Sequence, residues 1–308
     1  MKGVSVVICS YNSRGKLPET LRHLAIQLPV PDVPYELIIV DNNCTDDTLA
    51  VAENHWTELG APFPLRFVTE PRPGLTFARI KGVQLAALDY VVFCDDDNWL
   101  CEDYLSKTYR HFESKKEIAL LGGVGVPEFE AQPPDWFNAV KGFGYAVGDE
   151  GRQTGYVTSL YGAGMALRKS AFLQVINKNG LSVSDRNGSQ LFSGGDTEIS
   201  QVISKAGYRI YLDCSMTFKH FLPKNRLTWS YYLQLRRSFG VATANLQLTD
   251  TSGKTSNRGI LADFISVMNY CLSNLKYTLF SSQLKTAQCA NFVQQRAWRT
   301  TLIRARHR

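Results

Sequence analysis

The apolar run "VVFCDDDNW" ends in three consecutive carboxylates, Asp95, Asp96 and Asp97. Adjacent acids repel one another and resist leaving water. Such a cluster persists when it is solvated, when it caps a helix, or when a cation neutralises it. Carboxylate oxygens suit hard divalent cations such as Mn²⁺ or Mg²⁺, which keep several waters and use one or two protein carboxylates beside substrate phosphates. Other acids stand in similar polar segments: Asp41 in "IIVDNNCTDDT", and Asp196 with Glu198 in "SGGDTEIS". At a predicted helix start, Asp196 fits both an N-cap and a general base for a hydroxyl nucleophile. His220, in "TFKHFLP", is expected just after the last apolar strand pattern, where a lone His is more often structural. Arg226 and the pair Arg236/Arg237 offer cationic forks for a diphosphate or an anionic acceptor, with a solvated surface as the plain alternative.

The elements that must position these residues alternate along the first hundred positions. "VSVVICS", "YELIIVD", "PLRFVTE" and "YVVFCDDD" read as strands, and the continuous apolar runs among them imply burial on both faces. Between them, Leu17, Leu21, Leu24 and Leu28 fall at helical spacing with Pro18 suited to the first turn, and "TLAVAENHWTEL" and "LTFARIKGVQLAAL" also read as helices. This βαβα order implies a parallel sheet covered by helices, with ligands at the carboxyl ends of its strands. The segments after the first, second and fourth strands, "SYN", "DNNCTDD" and "DDDN", would then share one rim. No GxGxxG follows the first strand, which weakens a dinucleotide-binding reading. Beyond a charged helix at "EDYLSKTYRHFESKK" and a strand at "IALLGGVGV", residues 127–161 are rich in Gly, Pro and aromatics. Such a segment, with Trp136 in it, makes either a binding wall or an irregular flank of the core.

At 308 residues, with 44% hydrophobic and 20% charged positions, the chain can bury a full core. No apolar run is long enough to span a bilayer, and "MKGVSVVICSYN" reads as a buried first strand rather than a signal peptide. The seven cysteines are scattered and form no CxxC pair. They are expected to be reduced thiols in a cytoplasmic protein, and the sequons at Asn43 and Asn187 are expected to be chance.

The ordered set "VVICSYN", "IIVDNNCTDDT", "PGLTFARIKG", "FCDDDN", "GAGMALRK", "SGGDTEIS" and "KHFLPKNR" resembles the inverting family 2 glycosyltransferases, from about Val4 to Gly240. The resemblance implies an α/β GT-A fold with a Rossmann-like, mostly parallel central sheet. It also implies a nucleotide-sugar donor, more readily uridine-linked than guanosine- or thymidine-linked, and a saccharide or lipid-linked acceptor in surface polysaccharide synthesis. Carried over residue by residue, Asp95–Asp97 match the DxD motif. Asp97 would ligate the metal, Asp95 would reach ribose or the cation, and Asp96 would lie near the donor sugar. Ser10, Tyr11, Asp41 and Arg79 would hold the nucleotide, with Tyr11 stacked on the base, and His220 would stand near the metal or diphosphate. Asp196 would be the base. The family pattern there is typically Glu-Asp, and this chain has Gly195 in the Glu position. Trp136, Glu198 and Arg226 are placed on the acceptor or diphosphate side. Residues 1–100 form the nucleotide-sugar half, 101–240 the acceptor and catalytic half, and 241–308 a helical extension. Two alternatives stay open: a sugar-nucleotide pyrophosphorylase, for which "CSYNSRGK" is a poor loop, and a catalytically degenerate subunit that binds a partner.

The extension carries the positive charge. From Lys254 to Arg308 there are nine Lys and Arg against Asp263 alone, in a chain whose net charge is +6. An amphipathic helix is expected over 259–280, and the end "QQRAWRTTLIRARHR", with Trp298 and Leu302, suits an anionic membrane surface. Peripheral attachment to the inner face of the cell membrane follows as an expectation, and nucleic acid is not an expected partner.

Overall fold

The computed structural model describes residues 1–148, 151, 153–181, 194–250 and 287–306. The expected helix at 259–280, Asn187 and Cys271 lie outside the described residues.

Strands β1 (Val4–Ser10), β2 (Tyr35–Asp41), β3 (Leu65–Thr69) and β4 (Tyr90–Phe93) pair in parallel, in the order β3-β2-β1-β4. The sheet continues through β8 (Ala166–Arg168), β6 (Ile118–Phe129), β9 (Arg209–Leu222) and β5 (Asn98–Leu100), and β7 (Gly155–Val157) also pairs with β9. Strand β8 runs antiparallel to both β4 and β6, while β6 and β9 are parallel, so most strands point one way.

The apolar runs are continuous because each face of the sheet meets its own core. Val4, Val6 and Ile8 pack with Leu17, Leu21, Trp56, Tyr104 and Phe112, from α1 (Leu17–Ala25), α2 (Thr48–Glu58) and α4 (Tyr104–Ser114). The alternate residues Val7, Ile38 and Val40 pack with Ala78, Val83, Phe172, Ile199 and Ile203, from α3 (Leu75–Leu85), α6 (Lys169–Asn179) and α7 (Gly195–Lys205). Period-two alternation thus sends successive residues into two cores, and neither face can be polar.

A third, aromatic cluster lies beyond the sheet. Trp136 and Phe137, on α5 (Asp135–Ala139), join Tyr145, Leu222, Tyr232 and Leu235. Tyr232 and Leu235 belong to α8 (Trp229–Asp250), against which α9 (Ala287–Arg306) packs. Gly240 permits that packing: a Cβ there would collide with the Gln294 carbonyl and stand 2.9 Å from the Ala297 Cβ. Arg236 on α8 donates to Tyr232 Oη (3.2 Å) and to Asn291 Oδ1, and Trp298 Nε1 donates to Gln247 Oε1 (2.9 Å).

Candidate active site

The parallel register brings the strand ends together: Ser10 is level with Asp41, and the Cys94 N–H donates to the Val7 carbonyl at 3.0 Å. At this rim lies a cavity of about 870 Å³. Of the expected site residues, Ser10, Tyr11, Arg79, Asp95, Asp96, Asp97, Asp196, His220 and Arg226 line it.

His220 arrives by a different route from the expected one. It lies inside β9, which runs on to Leu222, rather than after the strand. Strand β5, absent from the sequence reading, pairs Asn98 with His220, and the Phe221 N–H donates to the Asp97 carbonyl at 2.9 Å. Sheet pairing therefore sets the imidazole beside the acid cluster, with Nε2 3.6 Å from Asp97 Oδ1. Its Nδ1 lies 2.6 Å from the Tyr145 carbonyl, which can only accept, so Nδ1 carries the proton. Burial lowers the His220 pKa and favours the neutral ring, whose Nε2 lone pair then faces a carboxylate oxygen.

Each of the three carboxylates has a cation of the chain within 4 Å. Arg79 Nη2 is 3.4 Å from Asp95 Oδ1, Lys16 Nζ is 3.2 Å from Asp96 Oδ1, and Arg226 Nη1 is 3.0 Å from Asp97 Oδ2. Lys16 also lies 3.9 Å from Asp97 Oδ2. Side-chain cations thus stand against all three acids. Asp96 also accepts from the Ser13 hydroxyl, and its backbone carbonyl accepts from Thr20 Oγ1 at 2.9 Å, which ties the acidic loop to α1. Burial, and then the neighbouring Asp97, raises the Asp96 pKa.

Among the described residues, no three His, Cys, Asp or Glu side chains form a preformed metal cage. The donor set still fits a divalent cation of the Mn²⁺ or Mg²⁺ kind. Asp97 Oδ1 and His220 Nε2 lie 3.6 Å apart at the cavity, a carboxylate oxygen and an imidazole nitrogen of the kinds that ligate such ions. The Nδ1–H bond to a backbone carbonyl is also the usual support of a ligating imidazole. Such ions bind with few protein ligands when phosphate oxygens complete the shell.

Asp196 lines the cavity from the first turn of α7, whose N-cap is Gly194 and not Asp196. Its Oδ2 accepts from the Gly162 N–H (3.1 Å) and its Oδ1 from the Thr197 N–H (2.7 Å). Gly162 also makes room for Arg79: a Cβ there would lie 2.7 Å from both terminal guanidinium nitrogens. One glycine thus abuts both Asp196 and the arginine paired with Asp95.

Three expected site residues lie outside the cavity lining. Trp136 is 7% exposed and stacks on Tyr232, so the aromatic segment divides: Trp136 and Phe137 face the third core, Phe143 lines the cavity, and Tyr145 belongs to both. Glu198 is buried on α7. Asp41 Oδ1 accepts from the Cys44 N–H at 2.8 Å and closes its own turn. The adjoining Asn42 does line the cavity. Its Nδ2 donates to the carbonyls of Glu70 and Arg72, both at 2.8 Å, and its Oδ1 accepts from the Gly74 N–H at 2.9 Å. The sequence reading missed Lys16, Asn42 and Gly162. All three stand in quoted segments, Lys16 in "CSYNSRGK", Asn42 in "IIVDNNCTDDT" and Gly162 at the head of "GAGMALRK", but nothing local marks them as reaching the site.

The model of the family described as "Glycosyl transferase family 2" matches residues 5–175, more than half of the chain. The chain belongs to glycosyl transferase family 2. Membership of this family sets the pyrophosphorylase alternative aside. A glucosyl-dolichyl phosphate glucuronosyltransferase of Haloferax volcanii is 26% identical over 179 residues, covering 56% of this chain and 54% of that protein. The chain thus spans about half the length of this curated relative. Among solved structures, the mannosyltransferase PcManGT from Pyrobaculum calidifontis, in complex with GDP-Man and Mn²⁺, aligns at TM-score 0.61 and 16% identity. That alignment covers 97% of this chain and 86% of that one. S. aureus TarS 1-349 in complex with UDP aligns at TM-score 0.50 and 16% identity, covering 100% and 92%. At these identities the likeness establishes the fold, the mixed α/β GT-A architecture with C-terminal helices.

Proposed function

We propose that this chain is a metal-dependent, inverting glycosyltransferase, moving a hexose from a UDP-sugar to a hydroxyl of a saccharide or lipid-linked saccharide in surface polysaccharide synthesis. The observation that carries this reading is that Asp97, His220 and Asp196, the last held by two backbone N–H groups, line one cavity. In a single displacement the acceptor oxygen forms a bond to the anomeric carbon as that carbon's bond to the diphosphate breaks. The electron pair leaves on a phosphate oxygen, and the hydroxyl proton passes to a base on the opposite face. Asp196 is the base: backbone N–H groups fix both of its oxygens in place. Asp97 and His220 would hold Mn²⁺ or Mg²⁺, whose chemistry is to neutralise charge collecting on the leaving diphosphate. Arg226 supplies a fixed positive charge beside the same carboxylate. Tyr11, half exposed at the rim, offers its ring to the base, with Ser10 and Arg79 along the same wall.

The test is thermal stability against nucleoside diphosphates and sugar nucleotides, with and without Mn²⁺, on the native chain and Asp97→Ala. A ligand that binds the folded state raises the melting temperature by mass action. The expected result is a shift with uridine ligands that needs Mn²⁺ and disappears in Asp97→Ala. A shift with guanosine ligands alone would reject the uridine donor, and a shift indifferent to Mn²⁺ would reject the metal.

A further inference from the structure

We infer that Lys16 is a diphosphate-holding residue, whose ammonium leaves Asp96 and Asp97 for an oxygen of the donor's diphosphate when the nucleotide binds. This rests on the nucleotide-sugar reading above and adds a residue to it. Three cations neutralise the acidic loop, and their settings differ. Arg79 is buried, lies over the Phe93 ring at 5.1 Å and is wedged against Gly162. Arg226 holds Asp97 Oδ2 at 3.0 Å with its side chain 17% exposed. Lys16 has the most exposed side chain of the three, at 32%, and splits its charge between Asp96 at 3.2 Å and Asp97 at 3.9 Å.

Lys16 also lines the cavity, where its four-carbon stem lets the ammonium swing while its backbone stays fixed. The Lys16 N–H donates to the Ser13 carbonyl at 3.0 Å, so the start of α1 stays in place during that motion. Asp96 would keep a partner after Lys16 departs, because the Ser13 hydroxyl holds its other oxygen. An arriving diphosphate brings negative charge to this rim, and of the three cations Lys16 has the side chain best placed to turn toward it. A lysine binds phosphate as a mobile point charge, which suits this role.

The experiment compares a nucleoside diphosphate with its monophosphate, UDP against UMP, on the full chain with Mn²⁺ by titration calorimetry. If the panel above selects another base, its nucleotides replace the uridine pair. The native chain is expected to favour the diphosphate. Lys16→Met is expected to lose about tenfold in diphosphate affinity, the scale of one hydrogen bond to a charged group, with monophosphate affinity unchanged. Lys16→Arg should restore much of the preference. A Lys16→Met chain that keeps the native diphosphate-to-monophosphate ratio overturns the inference, since a mere counter-ion of Asp96 would move stability and not that ratio. If Lys16→Met does not fold, Lys16→Gln reads the same ratio with a side chain still able to bond Asp96. A native chain that binds neither nucleotide overturns the nucleotide reading itself, a result distinct from an unchanged ratio.

Discussion

Asp196 and Arg79 meet at Gly162, which gives its N–H to the first and yields space to the second. Gly162 therefore joins Asp196 to the arginine paired with the acid cluster. Asp196→Asn is then an informative change. The amide keeps the shape and one accepting oxygen, so one of the two backbone N–H bonds is retained and the other is lost. The ability to take the acceptor's proton also disappears. Transfer should fall about 10²- to 10⁴-fold, the usual weight of a positioned general base, while nucleotide affinity stays at the native level. Steady-state transfer rates and nucleotide calorimetry on the same preparation check both halves. A parallel loss of nucleotide affinity would move Asp196 from proton transfer to donor binding.

At the scale of elements, legibility followed burial. Strands β1, β2 and β4 were readable because helices cover both faces, so their apolar runs are unbroken. The polar rim was readable for the same reason, since polar residues can begin only where the two cores end. His220 was harder to place. β9 alternates buried and exposed positions irregularly, and its pairing with β6 shifts register between Gly122 and Val124. The neighbour of Asp97 was decided by pairing with the three-residue β5, which no local pattern announces. Trp136 misled because an aromatic segment can face a cavity or a core, and only the position of α8 separates the two. The α8–α9 contact was likewise invisible, because it turns on the missing side chain of Gly240. Gly240→Leu should destabilise the fold by about 1–3 kcal/mol, the range for forcing methylenes into a closed contact. Urea unfolding read at the midpoint would check it, and an unchanged midpoint would mean that the helices separate at little expense. The nucleotide shift should persist, because Asp97, His220 and Lys16 lie on other elements.

Across the whole molecule, the charge is gathered at one end, and the structure changes how that end must be tested. Among the described residues no helix is long and apolar enough to cross a membrane. The basic C-terminal segment nonetheless belongs partly to the body: Asn291 accepts from Arg236, Gln294 lines the cavity, and Trp298 donates to Gln247. Truncating it would damage packing and charge together, so a loss of membrane binding by a truncated chain would prove nothing. Neutralising side chains isolates the electrostatic part. Arg296 is exposed and Arg299 half-buried, both within α9. If the helix rests on an anionic surface, each such charge contributes about 1 kcal/mol, so Arg296→Gln with Arg299→Gln should weaken partitioning about 30-fold. Vesicles rich in anionic lipid, separated by flotation, give the measurement, and added salt should weaken native binding in the same direction. Equal recovery of the native and doubly substituted chains would remove these two arginines from any membrane contact. Equal binding to neutral vesicles would make the attraction apolar, and the acceptor would then have to reach the enzyme without help from the charge of α9.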